Sequence, residues 1–247
     1  MFLIQCILIA LVHVLGILDG RIFGQNLLNT PIVEATLVGI ICGDVVTGLT
    51  MGATLQLIFM GFVGIGATSL PNSSAGTILA VSFAILSKLE PEAAIALSMP
   101  IALLFQPCGI IPRIFNNIWN VKCDEAADKG DFKAVERYFW YGVCAFAVVY
   151  FVPMFLAVYF GSGAVEAIIN VIPKVVLAGL NKASSLLPAL GIALLMNYIV
   201  DKDAIPFMIL GFVLAAFMGV SSLGIALIGL AIALVYYNFK GTSEEDY

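Results

Sequence analysis

The polar residues best suited to bind a ligand lie in or beside a stretch of sequence that carries no charge. From Val45 to Ser87 no side chain is charged, so this part of the chain belongs in lipid or deep inside protein. Asp44 precedes it, between Gly43 and Gly48. An acid in that setting must be paired, protonated or in contact with water, and ionisable residues at membrane depth are usually functional. We therefore expect Asp44 to belong to a binding site.

A four-residue spacing links Asp44 to Gly48, Gly52 and Gln56. On one continuous helix these residues form a small and polar stripe that drifts slowly around the axis and ends on a carboxamide. Glycine is unusually dense here, at Gly39, Gly43, Gly48, Gly52, Gly61, Gly64, Gly66 and Gly76. Such density indicates helices that pack backbone to backbone or helices that break.

A turn follows at residues 69–74, which read SLPNSS. Pro71 restricts φ and removes a backbone donor, and Asn72 and the serines can bond to nearby backbone groups. The sequence thus predicts a helical hairpin over about 39–76 with a polar tip.

No residue pattern in the chain indicates catalysis, a metal or a cofactor. There is no Walker-type loop, and the five cysteines are scattered and odd in number. His13 is the only histidine and stands inside the apolar run Phe2–Leu18. A histidine that carries phosphate must be reached in line by its donor, which a position inside a span prevents. We expect His13 to be structural or pore-lining, with a role in a transport path as the alternative.

Composition indicates an all-α polytopic membrane protein, with one integral membrane domain over residues 1–247. Of its residues 62% are hydrophobic, well above the roughly 45–50% of soluble domains. The net charge of −5 indicates no nucleic-acid surface. Residues 113–137 form the one long polar stretch and hold five of the eleven basic residues, so they are predicted to be a cytoplasmic loop. This loop is either a solvated connector or a docking surface for a soluble partner.

Helix signals occur along the rest of the chain. Thr30 and Pro31 predict a helix start. The helix dipole would stabilise the Glu34 carboxylate there, or Glu34 would contact a substrate. Residues 204–239 are long enough for two spans that meet near 219–222. Broken apolar pairs at 39–76 and about 166–222 favour a transporter with related, possibly inverted, repeats and a midplane site.

Two regions resemble a known family. In the first half the run is TPIVEATLVGIICGDVVTGLTMGATLQLIFMGFVGIGA, and in the second half CDEAADKGDFKAVER precedes INVIPKVVLAGLNKASSLLPALGIALLMN and IPFMILGFVLAAFMGV. These segments resemble the IIC subunit of mannose/fructose/sorbose-type sugar phosphotransferase permeases. The resemblance implies a multi-pass subunit in the bacterial inner membrane, in a hetero-oligomer with a IID membrane subunit and cytosolic IIA and IIB subunits. It also implies a substrate-bearing core that moves against a scaffold, with IIB phosphorylating the sugar inside.

A sugar presents hydroxyl groups that both donate and accept hydrogen bonds, so carboxamides and carboxylates suit its site. The candidate sugar contacts are Asp44, Gln56 and Asn72, with Asn26, Glu34 and Asn197 as secondary candidates. The structural alternative is a bond between helices for Gln56 and turn capping for Asn72. In mannose-type relatives an acid commonly occupies both of these positions, so the chain departs from the family pattern there.

Two other functions are compatible with the sequence. An ion-coupled secondary transporter would use Asp44 as its ion or proton carrier. A scaffold subunit would hold an oligomer together through its glycine faces without transporting anything. Dependence of uptake on phosphoenolpyruvate would distinguish the first from a phosphotransferase permease.

Overall fold

A computed structural model describes residues 2–62, 70–169 and 174–244, and within these ranges the chain is helical with no strand. The helices are α1 (Phe2–Leu18), α2 (Pro31–Cys42), α3 (Val45–Phe59), α4 (Ser73–Leu86), α5 (Pro91–Leu104), α6 (Pro107–Asp128), α7 (Phe132–Ile169), α8 (Lys174–Ile199), α9 (Ile205–Ala216) and α10 (Ser222–Glu244), and a π-helical turn (Asp19–Phe23) follows α1. Three of the described segments are long and apolar enough to cross a membrane: Phe2–Phe23, Pro91–Asp128 and Phe132–Gly161. The predicted all-α membrane fold is confirmed.

Local signals set several of the helix ends. Pro31 is the first residue of α2 and Thr30 precedes it as the N-cap, as predicted. Gly43 ends α2 with a φ of 88°, a left-handed conformation that glycine adopts without strain. Residues 204–239, predicted as two spans, form the two helices α9 and α10, and Gly219 adopts a φ of 65° between them. Because α9 has 12 residues, fewer than the about 20 that cross a bilayer, the two spans stay a prediction.

The glycine stripe forms the seam between α2 and α3. A Cβ at Gly48 would lie 2.6 Å from the carbonyl oxygen of Ala35 and 2.9 Å from the Cα of Gly39. A Cβ at Gly52 would lie 3.1 Å from the Cα of Ile32. Glycine is therefore required because the two backbones touch.

The predicted hairpin over 39–76 contains an additional reversal that the glycine spacing does not indicate. The chain turns back at residues 43–44, so that α3 runs antiparallel to α2 along the seam. Part of that prediction lies outside the described residues, namely Gly64, Gly66 and Ser69. The same holds for Pro173 of the second broken pair. The inverted repeat stays a prediction.

The chain divides into two compact units, Met1–Leu195 and Met196–Tyr247. In the first unit α4 is the central helix, because every residue from Ser74 to Ala84 is buried. A helix buried on all sides is expected to be largely apolar, and the buried polar residues of α4 are limited to the small side chains of Ser74, Thr77 and Ser82. In the second unit α9 and α10 pack on each other around an apolar pocket that contains Gly211 and Gly229. The single membrane domain stays a prediction.

The predicted loop at 113–137 is helical. It comprises the second half of α6, a turn at residues 129–131 and the start of α7. Gly130 has a φ of 69° in this turn, and the Asp131 carboxylate accepts a hydrogen bond from the backbone N–H of Ala134 at 3.1 Å. The mixed charges of this stretch therefore lie on two paired helices.

Candidate functional site

Three buried polar side chains from three helices form a hydrogen-bonded chain, which we call the polar trio: His13 of α1, Ser74 of α4 and Glu34 of α2. The Ser74 hydroxyl donates to Glu34 Oε1 at 2.5 Å and lies 2.7 Å from His13 Nδ1. His13 and Glu34 are 0% exposed and Ser74 is 3% exposed. The trio therefore connects α1, α2 and α4 through side chains that are closed to solvent.

Glycine and helix ends position the trio. Gly16 lies against Glu34, and any side chain at Gly16 would collide with Glu34 Oε1. Glu34 lies in the first turn of α2 and Ser74 in the first turn of α4. The amino-terminal ends of two helices therefore meet at Glu34, where their dipoles favour negative charge and anionic or hydroxyl groups.

Two atoms of the trio have no hydrogen-bond partner among the described residues: His13 Nε2 and Glu34 Oε2. The His13 ring instead contacts two aromatic rings edge-on, with centroid distances of 5.5 Å to Tyr150 and 6.5 Å to Phe105. A buried polar group without a partner costs about 1–3 kcal/mol, so such groups are rare in folded proteins. Two of them in one cluster make the trio a candidate binding site.

Gln56 and Asn72 lie beside the trio, each with a partner of its own. Gln56 Oε1 accepts from the backbone N–H of Ile32, at 3.4 Å, in the first turn of α2. Asn72 is the N-cap of α4, and its Oδ1 accepts from the backbone N–H of Ala75 at 3.0 Å. We call this region, with the trio, the polar corner. Both carboxamides are in the structural roles named as alternatives, which does not prevent a ligand from contacting them.

Asp44 lies at the other end of the α2–α3 seam. Its carboxylate caps α3 by accepting from the backbone N–H of Thr47 at 3.0 Å and from the Thr47 hydroxyl at 2.7 Å. It follows Glu34 by ten residues, and α2 spans most of them, which corresponds to about 15 Å of helix. The structure therefore separates Asp44 from the polar corner.

The two remaining candidates are exposed. Asn26 donates to Asp19 Oδ1 at 2.9 Å and to the carbonyl oxygen of Phe23 at 2.7 Å. The buried Asp19 carboxylate also accepts from the backbone N–H of Leu28 at 3.1 Å, so Asn26 helps to close the turn after α1. Asn197 lies in the second unit.

Sequence reasoning missed Ser74 and the bond that joins it to His13. A signal was present, because Ser74 is the second residue after Asn72 in the predicted polar turn, and residues there enter the first turn of a helix. Nothing in the sequence pairs this turn with α1, since His13 and Ser74 are 61 positions apart.

Comparisons with known proteins agree with the predicted family and with the helical fold. A family model described as the PTS system sorbose-specific IIC component matches residues 3–235. The chain is 32% identical over 221 residues to the mannose-specific EIIC component of the PTS system of Escherichia coli (strain K12), and the match covers 88% of this chain and 82% of that protein. It is also 32% identical over 238 residues to N-acetylgalactosamine permease IIC component 1 of the same strain, and that match covers 96% of this chain and 88% of that protein.

A solved structure is similar over almost the whole chain. A cryo-electron microscopy structure of the mannose transporter ManYZ in complex with microcin E492 contains a chain that is 30% identical, with a TM-score of 0.60 and 95% of each chain covered. The match of residues 3–235 to the family model, together with these relatives, shows that this chain belongs to the sorbose-type IIC family of the phosphotransferase system and is a sugar-translocating membrane subunit.

Proposed function

We propose that the chain binds a hexose or amino sugar at the polar corner and moves it inward for phosphorylation by a partner subunit. The observation that carries the proposal is the pair of buried atoms without partners, Glu34 Oε2 and His13 Nε2. A sugar hydroxyl can donate to the carboxylate oxygen, and a second hydroxyl can donate to or accept from the imidazole nitrogen. Binding would thus remove the cost of two unpartnered groups.

The carboxamides at the rim suit the same ligand. Gln56 and Asn72 each use their side-chain oxygen within the protein, which leaves the amide N–H groups to donate to hydroxyls. The two helix ends add partial positive charge beside the hydroxyl oxygens. Because the trio is closed to solvent, the sugar can reach it only if α2 or α4 moves relative to α1. Transport by movement of helices follows from this requirement.

We assign Asp44, Asn26 and Asn197 to the periphery of this function. Asp44 and Asn26 are used in capping and turn closure, and each has partners that do not require a ligand. If any of them contacts sugar, it does so at another stage of transport than binding at the polar corner.

The chain is proposed to work with a IID membrane subunit and cytosolic IIA and IIB subunits in the bacterial inner membrane. It acts as a transport subunit that carries no phosphate itself, because its only histidine is buried between Ser74 and two aromatic rings. An in-line donor cannot reach such a ring. Radiolabelled phosphate retained on this chain during turnover would contradict the proposal.

The experiment measures uptake of mannose and N-acetylgalactosamine by vesicles that hold the assembled complex. Uptake should require phosphoenolpyruvate with the soluble phosphotransferase proteins and should persist when an ionophore collapses ion gradients. Glu34→Gln should reduce uptake about ten- to a hundredfold, because it replaces one acceptor oxygen of the carboxylate by an NH2 donor in a buried site. The matched control is Glu92→Gln in the exposed first turn of α5, which should have no effect.

The same experiment tests the alternatives. Uptake that follows the ion gradient without phosphoenolpyruvate would establish an ion-coupled transporter, for which Asp44→Asn should then be inactive. A scaffold subunit would tolerate Glu34→Gln, so loss of uptake by a variant that still assembles would exclude that function.

A further inference from the structure

A second polar region of the first unit is a cleft between the end of α1, the second half of α6 and the start of α7. Its volume is about 270 Å³. The residues whose chemistry matters are Arg21, Asn116, Trp119, Asn120, Tyr138 and Phe146. The polar corner contributes none of these residues, so the cleft is a separate feature of the fold, which we call the aromatic cleft.

We propose that the aromatic cleft is a second binding site for a pyranose sugar, free or phosphorylated, apart from the polar corner. Its volume suits one such ring, and its lining combines aromatic rings with a few polar groups, as small-molecule sites do. Trp119 and Tyr138 lie nearly parallel, with an interplanar angle of 20° and centroids 6.3 Å apart. Flat aromatic surface of this kind packs against the apolar C–H face of a sugar ring.

An unpartnered amide oxygen indicates which polar groups the ligand carries. Asn116 Oδ1 is buried and accepts no hydrogen bond from any described residue. The amide lies against Gly142, where a Cβ would come within 3.2 Å of that oxygen. An acceptor needs a donor, which a sugar hydroxyl supplies and a fully ionised phosphate group does not. The ring hydroxyls are therefore the recognised feature.

Arg21 supplies a fixed donor at the edge of the cleft. Its guanidinium donates to the carbonyl oxygen of Ile17 at 2.7 Å and lies 4.3 Å from the ring centroid of Phe146. These contacts fix the plane of the group and leave other N–H donors of the fork available. Asn120 adds an exposed amide that can donate and accept. Together Arg21, Asn116 and Asn120 offer donors and acceptors around one aromatic surface.

The position of the cleft gives it a place in transport. It lies along α6 and α7, the two helices that hold the basic residues of 113–137. By the positive-inside rule this end of the helices faces the cytoplasm. A sugar released inward would meet the cleft there before or after its phosphorylation. This last step rests on the proposed function, whereas binding to the cleft does not.

The test uses the full chain in its complex, in lipid nanodiscs, with tryptophan fluorescence as the signal. The chain has two tryptophans, so Trp140→Phe leaves Trp119 as its own reporter. The double variant Trp119→Phe/Trp140→Phe in the same complex gives the signal of the other subunits. Mannose, N-acetylgalactosamine and their 6-phosphates are titrated separately. We expect a saturable change in Trp119 fluorescence with at least one of the four. A response to the 6-phosphate alone would identify the product as the ligand, and a response to the free sugar would identify the substrate.

Variants separate this site from the polar corner. Asn116→Leu should weaken the Trp119 response at least about tenfold, because it removes the amide at nearly constant volume. Asn117→Leu is the matched control, since Asn117 is next to Asn116 in the sequence but is exposed and does not line the cleft. If Asn116→Leu fails to assemble, Asn120→Ala at an exposed lining position should still weaken the response. Glu34→Gln should leave the Trp119 response unchanged while it reduces uptake.

Three results would overturn the proposal. They are the absence of any Trp119 response in a complex that transports sugar, equal responses of the Asn116→Leu and Asn117→Leu variants, and loss of the response with Glu34→Gln. The last result would mean that fluorescence reports on the polar corner. Failure of uptake with an intact Trp119 response would count against the proposed function alone.

Discussion

The polar corner and the aromatic cleft lie in the same unit and both border α1, but they differ in their access to solvent. In the corner, His13 and Glu34 are completely buried and joined through Ser74. In the cleft, Arg21 and Asn120 are exposed, and aromatic rings line one side of it. A ligand can reach the exposed edge of the cleft at Arg21 and Asn120 in this structure, whereas it can enter the corner only after helices separate. The corner is therefore suited to a step of transport that involves movement, and the cleft to rapid, reversible contact.

The two regions also differ in what holds them together. The corner depends on backbone contact between α2 and α3, because Gln56 reaches Ile32 only while the seam is closed. The cleft depends on side-chain packing between α6 and α7, including the stacked Trp119 and Tyr138. Changes at the seam should therefore affect the corner and spare the cleft.

The largest expected effect comes from Gly48→Ala. The added Cβ would meet the carbonyl oxygen of Ala35 at 2.6 Å, and backbone atoms cannot move aside as a flexible side chain can. Overpacking of this kind costs about 1–3 kcal/mol or more, which exceeds the gain of roughly 1 kcal/mol from replacing glycine in a helix. We expect a lower thermal midpoint and loss of uptake, measured on the purified complex.

The control for the seam is Gly229→Ala in α10, where no atom lies within 4 Å of the added Cβ. That variant should be as stable as the parent or more stable. Equal stability of Gly48→Ala and the parent would mean that the seam is not close-packed. In the surviving Gly48→Ala protein, the Trp119 response should remain if the two regions are independent.

The second effect is that of Ser74→Ala. The substitution removes the hydroxyl that bonds to both His13 Nδ1 and Glu34 Oε1, so two buried groups lose a partner at once. Each such loss costs about 1–3 kcal/mol. We expect both the thermal midpoint and the uptake of sugar to fall. Ser73→Ala, at the first residue of α4, is the matched control, and identical behaviour of the two variants would show that the trio does not stabilise the corner.

A smaller effect is expected at Gln56. Gln56→Ala removes the acceptor for Ile32 N–H and one carboxamide, and should weaken apparent affinity about tenfold without preventing membrane insertion. Gln56→Glu keeps the acceptor near the start of α2, where the dipole favours an acid, so its stability should be preserved. It replaces an N–H donor by an acceptor, and the order of preference among hexoses and amino sugars should change. If the parent and both variants transport the same sugars equally well, Gln56 serves only to join α2 and α3.

The smallest effect is expected from Lys129→Cys in the turn between α6 and α7. Lys129 is exposed, so transport should be unchanged. The new thiol should react with a membrane-impermeant reagent only in inside-out vesicles, relative to the parent chain with its native cysteines. Labelling of intact cells would reverse the orientation and would move the aromatic cleft to the outer side.

Much of the fold follows from local rules in the sequence. Phe2–Leu18, the start of α2 at Pro31 and the turn near Gly219 were predicted because apolar runs, prolines and glycines act within a few residues of where they stand. The stripe from Asp44 to Gln56 was also predicted, and every member lies where α3 begins or meets α2. Membership of the family followed from the same segments.

Only the tertiary structure decided how the polar residues are grouped. It joined His13 to Ser74 across 61 positions and Ser74 to Glu34 across 40, and it separated Asp44 from both. Periodicity along one helix determines which residues share a face, but it does not determine which helices meet. That choice depends on close approach between helices, which Gly16 permits beside the Glu34 side chain and Gly48 permits along the backbone of α2. Spacing along the sequence does not predict such contacts, since each depends on how two segments that are distant in the sequence fit together.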